Sequence, residues 1–463
     1  MLDHRAAGMQ MGGTDAGGIS AARAHGRLGL GMCIALVIGN MIGSGVFLLP
    51  TALAPLGWSS VYGWLLTIGG SLCVAYVLAR LARDMAGGCG PVTYAHAAFG
   101  PAAGFIIGWS YWISVWVANA TLAVGAVSNL SILFPGLAST PGLPAVAAVV
   151  PIWVLTLINC LGVRRAGGVQ SITTILKLLP LAGAIAVGAW LLSSGKASLP
   201  ALGAHPVTSD GIRIAATLTL FPLLGFESAL VAGDRIENPK RNIPRATLFG
   251  TAITGLIYLL ACSAVTLLLP EAEATRSNAP FALFFGTFVH PALAPVVALF
   301  VVIAALGALN GYVLLQGELL LSLARERMLP AWFDRENRHG TPQRAHIVSS
   351  MLASALVLAN YTRGLANLFE FMVLVTTSVS IIFYLAAMLS GFRLLRMGRI
   401  GASRGFEVIA ITGFVYSMWT FYGAGWEASL WSLAMTAAGL PIYIFMLWSA
   451  RRQPAAEGMQ TEG

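Results

Sequence analysis

The sequence predicts an all-α polytopic membrane protein with twelve transmembrane helices. Hydrophobic residues make up 57% and charged residues only 10% of the 463, a balance that a water-soluble chain of this size does not carry. Apolar stretches of about 18 or more residues, each long enough to cross a bilayer, recur along nearly the whole chain. The basic residues then fall on alternate sides of those stretches, as a polytopic chain requires.

In chain order, the first 27 residues are rich in Gly, Ala and Met and read as a disordered tail without an apolar signal region. Spans are expected near 28–55, 61–82, 104–133, 145–162, 170–193 and 212–233, then near 246–269, 292–322, 345–361, 368–391, 406–423 and 428–449. Residues 28–450 form one transporter domain on this reading, and 451–463 a second tail. With both termini on the cytoplasmic side, 22 of the 27 Lys and Arg residues lie in the tails and cytoplasmic loops and only Lys196, Arg213, Arg276 and Arg363 lie opposite, with Lys177 left inside a span. A miscounted helix would scramble that split.

The first span is interrupted within VIGNMIGSGVFLLP, residues 37–50, by Asn40 and by Gly43, Ser44 and Gly45. In hydrocarbon an unpaired N–H or C=O costs several kcal/mol, so the break has to face protein, water or a ligand. N–H groups opening the second half suit a carboxylate, and carbonyls closing the first half suit an ammonium. A zwitterionic amino acid carries both. The sixth span repeats the theme in TLTLFPLLGFESALV, residues 217–231, where Pro222 and Gly225 precede Glu227. Broken helices one and six occupy matching positions if two five-helix halves are repeated with inverted topology, which points to a substrate site near the membrane midplane.

Several function classes drop out. The sequence contains no GxSxG elbow, P-loop, HExxH or CxxC pair and no soluble segment able to house a catalytic domain, so neither an enzyme nor ATP-driven transport is supported. No cofactor is called for. Cys33, Cys73, Cys89, Cys160 and Cys262 lack metal-ligand spacing and read as packing residues, so no metal site is expected. The net charge of +9 is scattered over loops, which fits membrane topology and not nucleic-acid binding.

GNMIGSGVFLLP at 39–50, GGCGPVTYAHAAFGP at 87–101, YWISVWVAN at 111–119 and GFESALVAGDRIENPKRNIPRA at 225–246 resemble the amino acid, polyamine and organocation transporter superfamily. Within it the chain is most similar to the basic amino acid/polyamine antiporters of the arginine/agmatine type. The resemblance implies two inverted five-helix repeats of the LeuT kind, about 28–193 and 212–391, plus two C-terminal helices over 406–449. It also implies alternating access to one central site, and close relatives that form homodimers.

Carried over residue by residue, the resemblance assigns the substrate carboxylate to Ser44 and Gly45 and the α-ammonium to the carbonyls of Met41, Phe221 and Leu224. It gives the substrate side chain to Asn119, with Ser114, Val115, Leu122 and Ser380 lining the pocket; for Asn119 the competing reading is a helix-to-helix hydrogen bond. Phe221 and Tyr312 stand where the similar antiporters have tryptophan, and either ring still offers a face to a cation. Tyr111 and Glu227 match an outer gate, whose third tyrosine falls at Met388 without gaps or at Tyr384 one turn away.

Lys177 departs from the close antiporters but matches proton-linked members of the superfamily, where a lysine ammonium replaces a sodium ion. An ammonium inside a span is expensive and needs snorkelling, a carbonyl cage or proton exchange; proton coupling and a fixed structural cation both fit. The expected function is secondary active amino-acid transport in the cell membrane, by amino acid/amine antiport or proton-linked permeation. The alternatives are a proton-coupled importer of neutral amino acids and a non-transporting membrane amino-acid sensor.

Overall fold

The computed structural model describes residues 29–85, 91–140, 142–202, 206–227, 236–360, 362–401 and 403–452, with the backbone alone for residues 91, 163–175 and 450–452. The first span is two helices, α1 (Leu30–Met41) and α2 (Gly45–Leu53), which with the turn of 3₁₀-helix that follows are bent by 49°. After them come α3 (Trp58–Asp84), α4 (Pro91–Phe99), α5 (Pro101–Leu130), α6 (Leu143–Cys160) and α7 (Val163–Ser193). Next are α8 (Ser209–Leu223), α9 (Pro239–Leu268), α10 (Pro280–Phe288) and α11 (Leu293–Arg325). The chain ends with α12 (Gln343–Ala359), α13 (Leu365–Arg396), α14 (Arg404–Gly423), α15 (Gly425–Ala437) and α16 (Gly439–Arg452).

Among the described residues a helix overlaps each of the twelve expected stretches. Eight helices are long and apolar enough to cross a membrane, or nine with the bent pair counted as one span. Three expected spans fall outside that count: α8 stops after 15 residues at Leu223, α12 has 17, and α14, with 20, carries Arg404 and Glu407 in its first turn. Residues 228–235, which hold the rest of the expected sixth span, lie outside the described residues.

Burial separates centre from rim. In α5, 94% of the most apolar window is buried, against 11% across Gly425–Ser449, so α5 is the axis and the last helices face outward. Around that axis the helices form two groups. On one side α3 packs on α8 and α9, and α9 packs on α1. On the other, α5 packs on α11 and α13, and α7 on α11. Small residues allow the close crossings that bind helices where burial from water offers no drive: a Cβ on Gly63 would lie 2.5 Å from that of Ala215, and one on Gly250 2.6 Å from Val37.

Candidate functional site

The break in the first span opens the centre of the molecule. Ile42 leaves the helix with φ −77° and ψ 102°, Gly43 and Ser44 turn the chain, and α2 restarts at Gly45. The first N–H groups of a helix have no partner within it, and here no side chain caps them. The Ser44 hydroxyl instead donates to the carbonyl of Leu122 on α5 at 3.3 Å. The opposite end of the break is more fully satisfied. The Tyr258 hydroxyl donates to the Met41 carbonyl at 2.9 Å, and Lys177, fully buried, donates from Nζ to the Gly39 carbonyl at 3.2 Å. The ammonium thus sits at the C-terminal end of α1, where helix carbonyls carry partial negative charge.

A cavity of about 20 Å³, lined from the break by Asn40, Met41, Gly43 and Gly45, lies beside this turn. Across from them stand Ala118 and Leu122 of α5, Phe221 and Leu224 at the end of α8, and Tyr312 of α11. That is room for about one water. The Phe221 ring accounts for the tightness, because a Cβ on Gly45 would fall 2.5 Å from its Cε1. The ring thus lies directly over the start of α2. A larger cavity of 520 Å³, bordered by Trp109 and Trp112 of α5, Leu352 of α12 and Phe445 of α16, is walled by apolar side chains and offers nothing to a zwitterion.

Beyond Phe221 the chain turns at Gly225, whose φ of +103° suits glycine. A Cβ there would also lie 3.2 Å from the Asn40 carbonyl, so the first and sixth segments touch at their breaks. The turn aims Glu227 back into the protein, where its carboxylate accepts from the Gly225 N–H at 3.2 Å and from the Tyr384 hydroxyl at 3.3 Å. Tyr111 interacts with the same carboxylate and stacks on Phe383 with ring centres 4.8 Å apart. Of the two positions open for the third gate residue, Tyr384 meets Glu227, while Met388 is buried with its sulfur against Gly413.

A profile of the amino acid permease family matches residues 28–450. The chain belongs to the amino acid permease family. This permease is 30% identical over 425 residues to the putrescine transporter PotE of Haemophilus influenzae, covering 91% of this chain and 97% of that one. It is 33% identical over 334 residues to the cadaverine/lysine antiporter of Escherichia coli, covering 72% of this chain and 74% of the relative. These relatives are transporters and antiporters, not enzymes, and with the apolar helices they mark a multi-pass membrane protein. Among solved structures, a manganese transporter of Eremococcus coleocola matches with a TM-score of 0.53 at 13% identity, over 91% of this chain and 94% of that one. At that identity only the fold is shared.

The permease brings together most residues expected at its centre. Met41, Gly45, Leu122, Phe221, Leu224 and Tyr312 border one cavity, and Ser44 is bonded at its edge. Others turn elsewhere. Ser114 donates to the carbonyl of Tyr111 and Ser380 to that of Thr376, each on its own helix, and Val115 is buried without bordering the cavity. Asn119 donates from Nδ2 to Gln316 Oε1 at 2.8 Å, the helix-to-helix bond weighed against a substrate contact. Sequence reasoning missed Ala118, Ala308, Gln316 and Tyr258. The 111-115-118-122 spacing on one face of α5 was the signal for Ala118; for the other three no local signal exists.

Proposed function

We propose that this permease is a secondary active transporter of the cell membrane that exchanges an amino acid for an amine by alternating access through the central cavity. The observation that carries the reading is the uncapped start of α2 at Ser44–Gly45, across one small cavity from carbonyl groups and the Tyr312 ring. The backbone takes the part every amino acid shares. The carboxylate lies at the N–H groups of Ser44 and Gly45, and the α-ammonium at the carbonyls of Met41, Phe221 and Leu224. Phe221 closes over the substrate, and Tyr111, Glu227 and Tyr384 form the gate beyond it. Relatives that carry putrescine, or exchange cadaverine for lysine, favour a substrate with a cationic end, which the Tyr312 face accommodates.

The architecture that goes with this reading is twelve spans with cytoplasmic termini, two inverted repeats at about 28–193 and 212–391, two further helices, and lipid around a homodimer. Lys177 favours a second reading, a proton-linked importer of neutral amino acids, because a buried ammonium on the Gly39 carbonyl is placed to release the break when it loses its proton. Uptake of radiolabelled lysine and of radiolabelled leucine into proteoliposomes separates the two. Acceleration by unlabelled lysine or cadaverine inside is the expected result. Accumulation in empty vesicles driven by a proton gradient would move the assignment to symport, and binding without movement would leave an amino-acid sensor.

A further inference from the structure

The cavity of 520 Å³ shares no lining residue with the central one and is walled by α5, α11, α12, α16 and the connector between α11 and α12. Its lining side chains carry only two polar atoms, the indole N–H groups of Trp109 and Trp112, and both are bonded within the protein. Trp109 donates to the Met435 carbonyl at 3.0 Å and Trp112 to Ser349 Oγ at 2.9 Å. Buried water needs about two to four polar partners, so this space suits an apolar guest. Its volume lies in the range of small-molecule sites, about 300–1,000 Å³. Leu352 of α12 and Phe445 of α16 border it while 39% and 54% exposed, so the cavity opens past them to the outside of the bundle.

The four helices agree on its depth. At about 1.5 Å per residue, Val348 and Leu352 lie about 6 and 12 Å along α12 from Arg344, and Leu320 about 8 Å from the Arg325 end of α11. Trp109 lies about 12 Å from the start of α5, and Phe445 about 11 Å from the end of α16. All four ends are cytoplasmic in the orientation proposed above, so the cavity occupies that leaflet, whose hydrocarbon is about 15 Å deep. Arg344, Val348 and Leu352 follow at intervals of four and share one face of α12, which puts the guanidinium at the cytoplasmic rim. It stacks on Trp332, 4.9 Å from the ring centre, and donates one N–H to the Trp332 carbonyl at 3.0 Å. No carboxylate pairs with Arg344 among the described residues; Asp334 and Glu336, the nearest in sequence, are held by Arg325. Residues 325–344 carry five arginines against three carboxylates, so the rim is basic. We infer that this cavity takes an acyl chain of an anionic phospholipid of the cytoplasmic leaflet, with the lipid phosphate on Arg344. The inference takes its side of the membrane from the orientation proposed above and nothing from the substrate.

The test titrates the full chain in detergent with phosphatidylglycerol and with phosphatidylcholine of the same acyl chains, and counts bound lipid per protomer by native mass spectrometry. Phosphatidylglycerol should bind about tenfold tighter, the scale of one charge-assisted hydrogen bond, and should raise Tm as a ligand of the folded state does. Arg344→Gln should bring phosphatidylglycerol down to the affinity of phosphatidylcholine and leave the latter unchanged. Leu352→Trp, which adds bulk inside the cavity, should weaken both lipids equally, by about tenfold; Val348→Phe serves if that protein does not insert. A phosphatidylglycerol preference that survives Arg344→Gln would overturn the inference, as would binding of both lipids undiminished by the added bulk. Lipid displaced as protein concentration rises and a dimer forms would assign the cavity to a second copy of this chain and overturn it too. A wild type that retains neither lipid would do the same. Transport enters none of these readouts, so a failure here leaves the exchange reading standing.

Discussion

The two walls of the central cavity are built by opposite means. On one side the chain is unwound: α1 ends, three residues turn, α2 restarts, and α8 stops at Leu223 before the Gly225 turn. On the other side α5 and α11 run unbroken for 30 and 33 residues and are tied to their neighbours by side chains. Trp112 donates to Ser349 at 2.9 Å, Asn159 to Asn310 at 3.0 Å, and Asn119 to Gln316 at 2.8 Å. Main-chain groups have one geometry whatever the residue, so the unwound wall suits the invariant carboxylate and ammonium. Side chains vary, so the knitted wall suits the variable end of the substrate. Elements that move on binding come from parts of a protein with weaker local structure, and a turn hinged on glycine with a ring resting on it is such a part.

The unwound wall should therefore be intolerant of added bulk. Gly45→Val places a branched side chain where the Phe221 ring now rests, 2.5 Å from the first added carbon. Transport into proteoliposomes is expected to fall to background, with the protein still inserted and monodisperse in detergent. Wild-type exchange by an inserted Gly45→Val protein would sink the assignment of the carboxylate to this turn and, with it, the contrast between the two walls.

Lys177 spans the two groups, standing on α7 and bonding to the end of α1. Lys177→Met keeps all but the last atom of the side chain's length and removes the ammonium, leaving the buried Gly39 carbonyl without its charged donor at a cost of about 1.5–3 kcal/mol. Exchange at neutral pH should drop by roughly tenfold to a hundredfold. If protons enter the cycle here, the pH profile of the variant is also flat. A variant with reduced rate and an unchanged profile would make Lys177 a fixed cap on the unwound wall.

The unwound wall was the legible one. Asn40, Gly43, Ser44 and Gly45 announce a broken span within a few adjacent residues, and Lys177 is conspicuous because almost nothing charged belongs in hydrocarbon. The knitted wall was not legible, because its meaning is in pairs. Asn119 and Gln316 are 197 residues apart, and Met41 and Tyr258 are 217 apart; a serine or glutamine in an apolar run looks the same whether it packs, caps or relays. The helices overlap the apolar stretches for the same reason that the breaks were legible, both being written in consecutive residues. The tyrosine that meets Glu227 shows the boundary between the two kinds of signal. Spacing left Tyr384 and Met388 one turn apart, and only the placement of Glu227 separates them.

The smallest expected effect falls where the unwound wall borrows a side chain. The Tyr258 hydroxyl occupies one of two lone pairs on the Met41 carbonyl at 2.9 Å, and the substrate ammonium is assigned to the other. Tyr258→Phe leaves that first lone pair buried and unpaired in the empty protein, so stability in detergent should fall by about 1 kcal/mol, read as a lower Tm. A bound ammonium recovers part of the loss, since it then meets a carbonyl with no competing donor. The KM for lysine should consequently fall by about twofold to fivefold while Tm falls, a pairing of opposite signs that general loosening of α9 against α1 does not produce. A lower Tm with KM unchanged would mean that the ammonium never touches Met41, and would shift its contacts to the carbonyls of Phe221 and Leu224, moving the recognition of the shared zwitterion from the first break to the second.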